Sequence, residues 1–333
     1  MADLFEETSQ AFPDLLLLTI SRDGVYLCEN GCDPGPWVEQ TAAVLAGQLR
    51  TRRLSTAPAD ALARHVWNDL TSLCNVADFN VTQFDMDGHR HAIAVVQMAL
   101  TQIPATMIER MTQWYGLGQL GLHPAGVTRW QSESKTVAAF YNAHEIGQVV
   151  SLGTGLISIE GERSGHERLL DEMRADLFGL LFIAREGGDW ATLLDDVARY
   201  RDTAAVLQED LKHWTRPALD ALRAELTDTP DLADGADVVT MMRHADRIAR
   251  AHLPGLEPLR GLHRVLLSLY NAEPYPEVYT ETAALVCRLA RGYSAARLTG
   301  LMAFDPARQD VLDAARRHFE TLIRKASPIR QAA

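Results

Sequence analysis

Cysteine is scarce in this sequence: Cys28, Cys32, Cys74 and Cys287 are four among 333 residues. Cysteines so few and so scattered cannot build a disulfide framework for a chain of this length. The pair Cys28 and Cys32 has no second pair to complete a tetrahedral metal site, so buried or half-buried thiols are expected. Positive charge is also short. Lys and Arg number 32 against 44 Asp and Glu, a formal net charge of -12, whereas phosphate-backbone binding needs clustered cations. Nucleic acid is not an expected partner. Long apolar runs are missing as well, none approaching the roughly 20 residues that span a bilayer. The start, "MADLFEETSQAFPDLLLLTIS", is acidic ahead of a short apolar run, unlike a secretory signal. The expectation is no membrane contact and a cytoplasmic location.

What is present is the composition of a soluble globular protein, 47% hydrophobic and 23% charged, long enough for one large or two ordinary domains. "LLLLTISRDGVYLCE" predicts two strands around an Asp-Gly turn, and "FNVTQFDMDGHRHAIAVVQMAL" a second hairpin turning at Asp87-Gly88. Between them, "PWVEQTAAVLAGQLRTRRL" and "PADALARHVWNDLTSLC" have helical periodicity. From Pro104 onward the pattern is helical, punctuated by Gly and Pro. The fold class is therefore α+β and mainly α-helical, with a small N-terminal antiparallel sheet made from the two hairpins. Three regions are expected: 1–103 with the hairpins, a helical core over 104–187, and a helical remainder over 188–333, the softest boundary lying at Gly187-Gly188.

The stretch "FYNAHEIGQVV" (Phe140 to Val150) carries the chemistry. A zinc-binding helix uses His-Glu-x-x-His because residues i and i+4 share a face, so two imidazoles can bind one ion while the intervening Glu acts as base. Here His144 and Glu145 are in place, and Gln148 stands where the second histidine would be. The helix "HERLLDEMRADLFGLLFIARE" follows after a Gly-rich loop, with Glu172 and Asp176 four residues apart on one face. Ala175 and Gly179 beside them are small enough to let that helix approach another closely. The spacing suits Glu172 as a ligand and Asp176 as the carboxylate that holds an imidazole by its free N–H.

This order, "HEIGQ" followed by "EMRAD", resembles the gluzincin metallopeptidases over roughly Ser134 to Glu186. The resemblance implies zinc as cofactor, His144 and Glu172 as ligands, Glu145 as general base and Asp176 as the supporting carboxylate. It also implies a peptide or protein substrate and metal-assisted hydrolysis. Gln148 departs from the pattern, since an amide oxygen is a weak donor for zinc. Three readings stay open: Gln148 binds weakly, His166 just ahead of the second helix replaces it, or the helix pair survives without metal as a protein-binding scaffold. Oligomeric state is not legible. Trp130, Trp214 and Met241-Met242 are expected in the core, and the histidines and arginines of "RHADRIARAHLPG" on a solvated helix face.

Overall fold

The computed structural model describes residues 2–21, 34–69, 78–86, 89–99, 131–158, 163–207 and 211–256. The four cysteines, the two Asp-Gly turns, the outer strand of the first hairpin, the helix expected after Pro104, Trp130 and the helices expected beyond residue 256 lie outside them. The described residues form eight α-helices and three strands.

Chain order is α1 (Ala2–Ala11), β1 (Leu15–Ser21), α2 (Pro34–Thr51), α3 (Ala59–Asp69), β2 (Asp78–Met86) and β3 (His89–Met98). Then come α4 (Ser134–Gly153), α5 (Gly165–Arg185), α6 (Trp190–Leu207), a 3-10 turn at Leu211–His213, α7 (Arg216–Asp228) and α8 (Val238–His252). The architecture is mainly helical with one small sheet, as the α+β expectation requires.

The sheet corrects one expectation. β2 and β3 do pair antiparallel, with Asn80 opposite Val95. β1, however, runs parallel to β3, with Leu17 opposite Ala94, giving a mixed sheet of order β1-β3-β2. The reason lies in β1 itself. Leu15 and Leu17 face one apolar core while Leu16, Leu18 and Ile20 face another. A strand that is apolar on both faces is the kind a buried parallel pair takes.

Each face of the sheet has its own helices. Trp37, Val38, Leu45 and Leu49 of α2 and Leu62, Ala63 and Val66 of α3 pack on the face of Ile93 and Val95. On the other face Ala94 and Val96 join α4, α5 and the helices beyond. The outer edge of β1 is sealed by side chains: Gln48 Nε2 donates to the Thr19 carbonyl at 2.6 Å and Arg52 to the Leu17 carbonyl at 2.8 Å.

The larger core runs from Leu4 through α4, α5, α6 and α7 to Ala249, including Leu193 and Leu194 just past Gly187-Gly188. The turn at that glycine pair has Gly187 exposed at φ 70°. Trp214, Met241 and Met242 are buried as expected. On the solvated side, Arg247 pairs with Glu225. No helix among the described residues is long and apolar enough to cross a membrane.

Candidate functional site

The site forms where α4 and α5 lie side by side. Two reciprocal contacts set their separation. A Cβ on Gly147 of α4 would lie 3.0–3.1 Å from the Phe178 side chain of α5, and one on Gly179 of α5 would lie 2.9 Å from the Phe140 ring of α4. Each glycine thus receives a phenylalanine of the facing helix, and a methyl there would require that ring or the helix behind it to shift.

The start of α4 is fixed from outside the helix. Its N-cap is Glu133, with no side-chain cap bond. Instead Asp196 of α6 accepts from the Gln131 and Ser132 N–H groups, both at 2.8 Å. Two residues before His144, Asn142 accepts from Ala99 N at 2.6 Å, tying α4 to the end of β3. α5 begins with a full capping box between Ser164 and Glu167.

His144, Glu145, Gln148, Glu172 and Asp176 come together in this structure. His144 Nδ1 is 2.9 Å from Asp176 Oδ1, and its Nε2 is 3.4 Å from Glu172 Oε2. The Gln148 amide nitrogen lies 3.3 Å from His144 Nε2 and donates to Glu145 Oε2 at 3.4 Å. His144 and Glu145 are buried, and Asp176 is wholly enclosed. His166 stays apart: its Nε2 bonds the Pro254 carbonyl at 2.9 Å, about 9 Å along the α5 axis from Glu172. As a replacement for Gln148 it is therefore set aside.

Three further residues reach the cluster that the sequence does not single out. Arg201 of α6 donates to Asp176 at 2.9 Å and 2.7 Å and lies 3.7 Å from Glu172. Thr215 donates to Asp176 Oδ2 at 2.6 Å. His213, ending the 3-10 turn, places Nε2 3.5 Å from Glu172 Oε1. They arrive from segments far along the chain, where neither period nor spacing marks them. The available signal is the polar group His213, Trp214, Thr215 set just before the Arg216-Pro217 helix start.

The electrostatics follow from this geometry. Burial opposes a charge on His144, but hydrogen bonds to Asp176 and Glu172 and the Glu145 and Asp176 charges prevail, lifting its pKa to about 10. Burial would also raise Asp176, yet the Arg201 charge and the His144 bond hold it at about 2. For Glu172 burial acts upward too. The His213 charge and the bonds from both imidazoles outweigh it and keep the carboxyl well below the usual range.

Two donors at about 2.0–2.2 Å from one tetrahedral zinc stand roughly 3.3–3.5 Å apart. The 3.4 Å between His144 Nε2 and Glu172 Oε2 fits two such positions. Among the described residues, no three His, Cys, Asp or Glu side chains stand grouped as an ion's shell. Beside His144, the Gln148 amide can turn its oxygen inward. No family model, curated protein or solved structure matches the chain.

Proposed function

We propose that the chain is a metal-dependent hydrolase of the peptidase type, working with a reduced ligand set. The supporting observation is the imidazole of His144, backed on Nδ1 by Asp176 at 2.9 Å while Nε2 faces Glu172 at 3.4 Å. A histidine that ligates metal commonly has such a carboxylate, or a carbonyl or water, behind it to fix its tautomer and direction. The peptide as substrate rests on the likeness of "HEIGQ" and "EMRAD" to the gluzincin pattern.

In this reading His144 and Glu172 would hold zinc, with Gln148 as a weak third donor. Zinc, when bound, supplies Lewis-acid polarisation of a carbonyl and acidifies water. Glu145 takes the proton from the attacking water. The Gln148 N–H bonded to Glu145 Oε2 at 3.4 Å orients that carboxylate. Arg201 and Thr215 keep Asp176 ionised and aligned, so that Nδ1 of His144 carries the proton and Nε2 is left as the donor.

A second reading has its own support. Without an ion the cluster closes on itself, since both ring nitrogens of His144 and both oxygens of Glu172 meet protein partners. That suits a metal-free knot joining α4, α5, α6 and the 3-10 turn, in a protein whose role is binding. Elemental analysis after purification without chelators, together with hydrolysis of a mixed peptide library, separates the two. The hydrolase reading expects about one zinc per chain and hydrolysis that Glu145→Gln lowers about 10²–10⁴-fold, with zinc content and melting temperature kept. No zinc and no hydrolysis establish the knot. Hydrolysis that survives both chelation and Glu145→Gln moves the chemistry elsewhere.

A further inference from the structure

No further inference is drawn: the strongest candidate, the enclosed Gln97 side chain on the face of β3 that packs against α2 and α3, has neither amide atom bonded within the protein, but the core on that face is apolar and nothing in the structure shows what would meet the amide there.

Discussion

Asp176 Oδ1 lies 2.9 Å from His144 Nδ1, and the same carboxylate is gripped by Arg201 at 2.7 Å and 2.9 Å and by Thr215 at 2.6 Å. One enclosed carboxylate thereby joins α4, α5, α6 and the segment that follows the 3-10 turn. Its negative charge meets an imidazolium and a guanidinium, both buried. A desolvated ion is tolerable only with its partners in place.

Asp176→Asn should accordingly destabilise the protein by about 3–5 kcal/mol, the usual cost of leaving a buried charge unpaired. Asp60→Asn removes the partner of Arg64 in a pair with side chains 59% and 66% exposed, and should leave stability nearly unchanged. Chemical denaturation of both variants checks the contrast. Equal small losses would mean that Arg201 and His144 find other partners.

The helix contact makes a prediction of opposite signs. Gly179→Ala places a methyl 2.9 Å from the Phe140 ring and 3.1 Å from the Phe140 carbonyl oxygen, and overpacking of this kind costs about 1–3 kcal/mol. Gly47→Ala in α2 meets nothing within 4 Å, and should gain roughly 0.5–1 kcal/mol by restricting the unfolded chain. Two melting curves decide it. A neutral Gly179→Ala would show that α4 and α5 can separate at little cost.

How far the site was legible depends on whether its signal is local. His144, Glu172 and Asp176 are readable because helical spacing alone places Glu172 and Asp176 on one face. Their convergence with His144 needs only that the two helices pack, which Gly179 advertises. Arg201 and His213 carry no such mark, being joined to the cluster by tertiary contact between distant segments. His166 reads as the stand-in because it is near in sequence, yet six residues along a helix is a long way in space. β1 pairs parallel with β3 for a related reason. The Asp-Gly pair after it suggests a hairpin, while the unbroken run Leu15 to Leu18 already signals a strand covered on both faces.

Gln148→His tests position 148 directly. Its amide nitrogen stands 3.3 Å from His144 Nε2, so a histidine there would point into the same space. A supporting partner alone is worth about 10–100-fold in metal affinity, and an added imidazole ligand should give at least that gain in a zinc titration. A folded variant with unchanged affinity would show that position 148 does not face the ion.

The last prediction concerns pH in metal-free protein. His144 has its pKa raised from 6.5 to about 10, so the fold binds a proton there more tightly than the unfolded chain does. The stability this contributes is complete below pH 6.5 and is lost as pH rises through about 10. Asp176 is depressed from 3.8 to about 2, so its contribution is complete above pH 3.8 and is lost as pH falls through about 2. Together the two are fully expressed between pH 3.8 and 6.5. With chelator present, denaturation of wild type and His144→Gln at pH 5.5, 7, 8.5 and 10 isolates the histidine. Wild type should be the more stable at the acid end, and its advantage should shrink by at most about 1.4 kcal/mol per pH unit. An advantage that stays level or grows with pH would mean that His144 is neutral in the fold. The imidazole would then be accepting a hydrogen bond from Gln148 through Nε2, and the site would be free to take a metal without first releasing a proton.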